Sequence, residues 1–135
     1  MSVFRIPFCT HKIIISQSYA LGNLNSPSKA GGIAVAIFSK RAIADLNEIY
    51  DYISLVLANP ISADSVVNGI QDTIETLKDH LLIGKPLYFD NGLFSGFRYL
   101  IYHDYLAFYH IESDNAYIDR VLYGKSDYMR ILFRL

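Results

Sequence analysis

Basic and aromatic side chains crowd the last third of the chain, where residues 97–129 read FRYLIYHDYLAFYHIESDNAYIDRVLYGKSDYM. Arg98 and Arg120 interrupt runs that are otherwise apolar or aromatic, and a cation rarely enters a core without a partner. If the strand register places both on one face, the two guanidinium groups can bind a phosphate or carboxylate through paired hydrogen bonds. The alternative is that each arginine forms an ion pair with a nearby acid. The nearby acids are Asp104, Glu112 and Asp119.

Other side chains near the C-terminus extend this candidate site. Lys125 and Arg130 add positive charge, and Tyr123 and Tyr128 flank the basic end as candidates for contact with a ligand. His103 falls in a predicted turn between two strands, where it can act as an acid or base if it faces a groove. The alternative for His103 is an ordinary surface histidine. For most other tyrosines of this region, packing across neighbouring strands is the favoured interpretation.

The sequence predicts neither a metal ion nor a cofactor. No two of the four histidines stand at helical ligand spacing, and the single cysteine, Cys9, cannot build a structural zinc site. Gly92 and Gly96 do not lie between a strand and a helix, which argues against a phosphate-binding loop.

Charge and hydropathy narrow the range of partners. The chain carries 12 Lys and Arg against 13 Asp and Glu, whereas proteins that bind nucleic acid usually carry a basic excess. Residues 120–135 are nevertheless locally basic, so a basic face remains available. No apolar run approaches the ~20 residues that span a bilayer, and we expect no membrane partner. One cysteine suits a reducing compartment, so we expect the protein in the cytoplasm.

Periodicity predicts an α+β domain over residues 33–135, after an extension over 1–32 that we expect to be poorly ordered. The apolar run from Ile33 to Phe38 predicts a strand, and Ser39 after it predicts a helix N-cap. Asn59-Pro60 ends this helix and begins a second, so the two helices should form an antiparallel hairpin.

Both helices carry apolar stripes at spacings of three and four residues. The stripes are Ile43, Leu46, Ile49, Ile53 and Val56 in the first helix, and Ala63, Val66, Ile70, Ile74, Leu77 and Leu81 in the second. Gly69 inside the second helix costs up to ~1 kcal/mol relative to alanine, which we interpret as the site of a close approach between the helices.

The segment from Gly84 to Gly96 is interpreted as a loop because Pro86 and Asn91-Gly92 punctuate it. Three short strands follow, joined by tight turns at His103-Asp104 and at residues 112–115, and such short turns join antiparallel neighbours. A short helix then runs from about Ser126 to Phe133. The predicted order is an N-terminal strand, a helical hairpin, a three-stranded antiparallel meander and a C-terminal helix.

Residues 33–133 resemble the RelE/ParE superfamily of bacterial toxins from type II toxin–antitoxin pairs. The resemblance rests on the strand-to-helix segment at residues 37–42, the helical segment at 45–53 and the arginine-led hairpin that begins at Phe97-Arg98. Its most specific part is the block from Arg120 to Tyr128, which has the pattern Arg-Val-Leu-Tyr-Gly-x-x-Asp.

The resemblance implies a growth-inhibiting toxin that a cognate antitoxin neutralises. RelE-like members cleave messenger RNA in the ribosome, and here Arg98, Lys125, Tyr128 and His103 would be the catalytic residues. ParE-like members poison DNA gyrase and are not nucleases. Ser126 stands where RelE-like nucleases usually have a second arginine, and this departure, together with the near-neutral charge, favours a ParE-like gyrase poison.

The resemblance also implies a surface that binds the target or the antitoxin. Its candidate residues are Arg98, Arg120, Tyr123, Lys125 and Arg130. An alternative from another class is a non-toxic interaction module that uses the same fold only to bind a protein partner.

Overall fold

The computed structural model describes residues 34–134 as one sheet with helices on both faces. The strands are β1 (Ala36–Phe38), β2 (Lys85–Tyr88), β3 (Phe94–Tyr102), β4 (Tyr105–Glu112) and β5 (Asn115–Tyr123). The helices are α1 (Lys40–Asp51), α2 (Pro60–Glu75) and α3 (Tyr128–Phe133). The extension predicted over residues 1–32 lies outside the described residues.

The strands lie in the order β1-β5-β4-β3-β2. Strands β2 to β5 are antiparallel neighbours, and β1 joins the edge of β5 in parallel orientation. This arrangement confirms the predicted α+β fold, with its N-terminal strand, helical hairpin, meander and C-terminal helix. The turn at Ser113-Asp114 has positive φ at both residues, which is the backbone that a two-residue hairpin turn needs.

The predicted loop from Gly84 to Gly96 is wrong on both sides of its centre, because β2 occupies Lys85–Tyr88 and pairs with β3, which already begins at Phe94. Pro86 argued against a strand at this position, because proline has no backbone N–H to donate to a neighbouring strand. At the outer edge of a sheet, however, a missing N–H can face solvent, and β2 is the edge strand of this sheet.

Local capping signals set the limits of the helical hairpin. The Ser39 hydroxyl accepts a hydrogen bond from the amide of Ala42 at 3.0 Å, and the Asn59 side chain accepts one from the amide of Ser62 at 3.1 Å. Between the helices, Tyr52–Val56 forms a π-helical turn. The wider turn breaks the three-and-four spacing, so Val56 of the predicted apolar stripe is 67% exposed.

Gly69 marks a close approach of helix to sheet, and the predicted helix–helix approach at this position is wrong. A Cβ atom built on Gly69 would overlap the ring of Tyr102 on β3. The glycine therefore makes room for a tyrosine that packs under α2.

Two apolar clusters fill the two faces of the sheet. The larger one lies between the sheet and the helical hairpin and includes Leu46, Ile70, Ile74, Tyr109, Ile118 and Val121. The smaller one lies under α3 and joins Phe108 and Leu122 to Tyr128, Met129, Leu132 and Phe133. Every strand position can therefore be assigned to the hairpin side or to the α3 side of the sheet.

Candidate functional site

Arg98 and Arg120 lie on opposite faces of the sheet, so the predicted shared arginine face is wrong. Arg98 is opposite Tyr109 on the hairpin side, whereas Arg120 is opposite Phe108 on the α3 side. The cause is a β-bulge at Asp119, which has no partner in β4. A one-residue shift in register sends all later side chains of a strand to the other face.

Arg120 is held by a buried carboxylate that sequence reasoning did not select. Its Nε and Nη2 atoms donate to the two carboxylate oxygens of Asp45 on α1, at 2.8 and 2.9 Å. Asp45 also accepts a hydrogen bond from the backbone N–H of Val121 at 2.9 Å. Only 7% of the Asp45 side chain and 17% of the Arg120 side chain are exposed, so the pair is structural. The sequence feature that could have revealed this ion pair is the position of Asp45 directly before Leu46, which belongs to the apolar stripe of α1.

Arg98 is engaged with the main chain before β2. Its Nη1 atom donates to the carbonyl of Gly84 at 2.9 Å. The fully buried Tyr109 secures the same segment, because its hydroxyl accepts from the Gly84 N–H at 3.0 Å and donates to the Leu81 carbonyl at 2.7 Å. Burial raises the pKa of Tyr109, and the Gly84 hydrogen bond and the Arg98 charge oppose that rise. Arg98 and Tyr109 together fasten residues 81–84 to the sheet.

The other candidate nuclease residues lie apart from Arg98. His103 is exposed at the β3–β4 turn with positive φ, and Lys125 is exposed near the same end, where the Gly124 N–H donates to the Asp104 carbonyl at 2.7 Å. Tyr128 packs its ring on Phe108, with centroids 5.2 Å apart, on the α3 face. These residues do not converge with Arg98 on a common point.

A pair of titratable groups on the α3 side also escaped the sequence reasoning. The carboxylate of Asp119 lies 2.6 Å from Nδ1 of His110, which stacks on the ring of Tyr117. Burial raises the pKa of Asp119, and the hydrogen bond and charge of His110 act against that rise. Asp119 is the residue that the bulge leaves without a partner in β4, and its carboxylate lies on the same side of the sheet as His110.

A groove runs between α1 and the open part of the β5 edge, with a volume of about 730 Å³. Tyr123, predicted as a binding residue, is 44% exposed on its wall. Opposite lie Tyr52 and Leu57 from the end of the first helical segment, each more than half exposed. Arg130 lies outside the groove on α3, exposed and 3.4 Å from Asp127. The groove thus adjoins one of the predicted binding residues.

Within residues 34–134, no group of three or more His, Cys, Asp or Glu side chains is placed to hold a metal ion. Over the same residues, no helix combines the length and apolar character that crossing a bilayer requires.

The family model described as the ParE toxin of the type II toxin–antitoxin system parDE matches residues 36–128. The chain belongs to the ParE toxin family. The match starts at β1 and ends at the first residue of α3, so the family region includes Arg98, Arg120 and Lys125, and Arg130 lies beyond it.

Two solved structures are similar to this chain, and the first of them, with a TM-score of 0.59, supports its fold. The chromosomal ParDE toxin–antitoxin system from P. aeruginosa matches with a TM-score of 0.59 and 22% identity, covering 69% of this chain and 98% of that chain. The RelBE2 toxin–antitoxin complex from Mycobacterium tuberculosis matches with a TM-score of 0.47 and 20% identity, covering 67% and 98%. No curated protein matches the sequence.

Proposed function

We propose that the chain is the growth-inhibiting toxin of a toxin–antitoxin pair and acts in the cytoplasm as a ParE-like poison of DNA gyrase. Membership of the ParE family supports the toxin role, and the match to the ParDE system supports a protein antitoxin as partner. The runner-up is a RelE-like nuclease that cleaves messenger RNA in the ribosome.

One observation carries the choice against the nuclease, namely the dispersal of its candidate residues. A metal-free ribonuclease must aim several groups at one scissile phosphate. Arg98 lies on the hairpin side and is bonded to Gly84, whereas Tyr128 lies on the α3 side. Lys125 comes two residues after Tyr123, the last residue of β5, and Tyr123 itself lies about 13 Å along the sheet and about 10 Å across two strands from Arg98. This dispersal supports a toxin that works by binding.

The exposed basic end is the surface that we assign to target contact. Tyr123, Lys125 and Arg130 are exposed there, and neither Lys125 nor Arg130 has a buried partner among residues 34–134. Arg98 and Arg120, the other predicted binding residues, have fold-stabilising contacts instead. Tyr123, Lys125 and Arg130 therefore form the proposed gyrase-binding surface.

The test compares two readouts for the same purified protein. We expect inhibition of gyrase-catalysed DNA supercoiling, and we expect a reporter message to stay intact in a translating extract that contains the protein. Growth should arrest when the chain is induced in a bacterium without its antitoxin. Message cleavage with normal supercoiling would favour the RelE-like nuclease, and normal growth together with both normal readouts would favour a non-toxic interaction module.

A further inference from the structure

The outer edge of the sheet at β2 presents backbone groups that no other strand uses. Phe89 donates its N–H to the carbonyl of Leu93, so Tyr88 and Phe94 form a pair without hydrogen bonds between them. The N–H and the carbonyl of Tyr88 therefore point away from β3. The same alternation directs the carbonyl of Pro86 away from β3. Unpaired groups of this kind are a template for another strand.

The open edge is short, because the backbone on both sides of it is already engaged. On one side, Gly84 donates its N–H to the Tyr109 hydroxyl. On the other side, the carbonyl of Phe89 accepts from the Gly92 N–H, which closes the turn to β3. Asp90 lies in that turn, and its N–H has no partner within residues 34–134. An added strand must therefore fit between Gly84 and this turn.

Aromatic side chains line the hairpin side of this edge. Leu87 belongs to the cluster under α3, so its neighbour Tyr88 lies on the hairpin side of the sheet. The rings of Tyr88 and Phe94 are in edge contact there, with centroids 6.0 Å apart, and about half of each residue is exposed. Leu93 adds exposed apolar surface at the adjacent turn. Apolar surface beside an open strand edge marks an interaction site.

The charges at the two ends of this edge are opposite in sign. Lys85 is exposed at the start of β2 and Asp90 is exposed just beyond its end, and neither forms a salt bridge within residues 34–134. In an antiparallel pair of such strands each lysine meets the aspartate of the other copy, whereas a parallel pair brings like charges together. The edge is therefore complementary to itself in antiparallel orientation.

We propose that β2 binds β2 of a second copy of the chain and joins the two sheets across a twofold axis. Tyr88 lies opposite Tyr88 of the second copy, and each donates its N–H to the carbonyl of the other. In the same register, Asp90 donates its N–H to the Pro86 carbonyl of the second copy, and symmetry repeats this contact. Pro86 cannot return the bond, but the Asp90 carbonyl opposite it lies in an exposed turn, where water bonds to it.

The composition of β2 selects this register and closes the assembly. Lysine and proline on an edge discourage indiscriminate pairing. A shift that set Tyr88 opposite Pro86 would leave the Tyr88 carbonyl without a donor, because proline has no N–H. In the proposed register the two Tyr88 rings meet on the hairpin side with Phe94 of each copy beside them, and aromatic pairs of this kind stabilise a sheet. The twofold contact uses the β2 edge of both copies, so it produces a dimer and no longer assembly.

The test measures self-association of the full chain by analytical ultracentrifugation at about 1 to 100 µM. We expect a monomer–dimer equilibrium in this range. Tyr88→Pro removes the open N–H at a position that bonds to no other strand, and it should weaken the dimer at least about tenfold, since each dimer loses two hydrogen bonds. Tyr88→Phe keeps the N–H and the ring and should stay within about twofold.

Charge reversal tests the orientation without altering the backbone. Lys85→Glu sets a glutamate against Asp90 of the other copy and should weaken the dimer about fivefold, and Asp90→Lys should have a similar effect. The double variant, Lys85→Glu with Asp90→Lys, restores opposite charges and should recover affinity to within about twofold of the unaltered chain.

A disulfide tests the register even if Tyr88→Pro fails to fold. With Cys9 replaced by serine, Tyr88→Cys should give a cross-linked dimer under mild oxidation, because the two Cα atoms would lie about 5.5 Å apart. Asp90→Cys in the same background should stay uncross-linked, because the two copies of residue 90 would be about 14 Å apart along the strands.

Several results would overturn the proposal. They are a monomer at every concentration, equal dimer affinity in Tyr88→Pro and Tyr88→Phe, a double charge reversal no tighter than the single ones, and cross-linking through residue 90 in place of residue 88. The inference does not depend on the proposed function. Lys85→Glu should weaken the dimer and retain supercoiling inhibition, so a failure of either proposal is visible separately.

Discussion

At the scale of single residues, two of the four cations picked out in the sequence, Arg98 and Arg120, serve the fold. Arg120 and Asp45 connect β5 to α1, and Arg98 connects β3 to the segment before β2. A buried ion pair is weak evidence for net stability, but removal of one partner leaves an uncompensated charge. The two types of change, single and paired, should therefore differ strongly.

Asp45→Ala should lower the free energy of unfolding by about 3–5 kcal/mol, because Arg120 and the Val121 N–H lose their acceptor together. Replacing both partners, as Asp45→Leu with Arg120→Met, should cost less than Asp45→Ala alone. Urea denaturation measures both. Glu48→Ala, an exposed acid one turn later on α1, serves as the control and should change stability by no more than about 0.5 kcal/mol.

Tyr109→Phe tests the buried hydroxyl. At pH 8 it should cost about 1–3 kcal/mol, because the Gly84 N–H and the Leu81 carbonyl lose a partner. Since the folded-state pKa of Tyr109 is raised, its stabilising contribution is complete below the unfolded pKa near 10 and disappears as pH rises through the folded pKa.

The unaltered protein should therefore lose stability above pH 10 more steeply than Tyr109→Phe does, as measured by urea denaturation at a series of pH values. Tyr88→Phe, at an exposed tyrosine of β2, is the matched control. Parallel alkaline profiles for the unaltered protein and Tyr109→Phe would contradict the assigned cause.

At the scale of elements, the fold depends on close contacts that glycine permits. Gly84 has an extended backbone that any residue can adopt, yet a Cβ there would overlap the buried hydroxyl and ring of Tyr109. The ring cannot move aside because it is fully buried. The short segment before β2 therefore has no room for a side chain at position 84, because Tyr109 of β4 occupies that space.

Gly84→Ala should destabilise the protein by about 1–3 kcal/mol through overpacking, although alanine has the lower backbone entropy cost. Thermal unfolding of the purified variant measures the effect. Lys85→Ala, at the exposed neighbouring position, should leave the transition unchanged. An unchanged midpoint for Gly84→Ala would show that Tyr109 can rearrange.

Local sequence signals predicted most elements of the fold and fewer features of the site. Ser39 and Asn59-Pro60 act on adjacent amides, so the helix limits could be predicted from the sequence. The positions of the two arginines could not be predicted in this way. The two-residue turns alone would place Arg98 and Arg120 on the same face of the sheet. The bulge at Asp119 reverses that outcome, and it depends on packing between distant segments.

At the scale of the whole molecule, the proposed binding surface is separate from the residues that hold the fold together. Lys125 and Arg130 are exposed at the basic end, and neither of them takes part in the buried Asp45–Arg120 pair. Stability and activity should therefore respond to different substitutions.

Reversing both charges, as Lys125→Glu with Arg130→Glu, should reduce supercoiling inhibition at least about tenfold, because opposed charge slows association and weakens contact. Its free energy of unfolding should change by no more than about 0.5 kcal/mol. Lys85→Glu, an exposed reversal on the opposite edge strand β2, is the control and should retain inhibition. Unaltered inhibition by the double reversal would remove this surface from target binding.

The parallel contact of β1 with β5 has a consequence for synthesis of the chain. Val35 and Ser39 are bonded to residues 80 positions later, so the first strand meets its neighbour only after that neighbour has left the ribosome. Helices α1 and α2 emerge much earlier, without the sheet that covers their apolar faces. A growing chain is consequently prone to aggregation until β5 is made, and the folded domain exists only after that strand has left the ribosome.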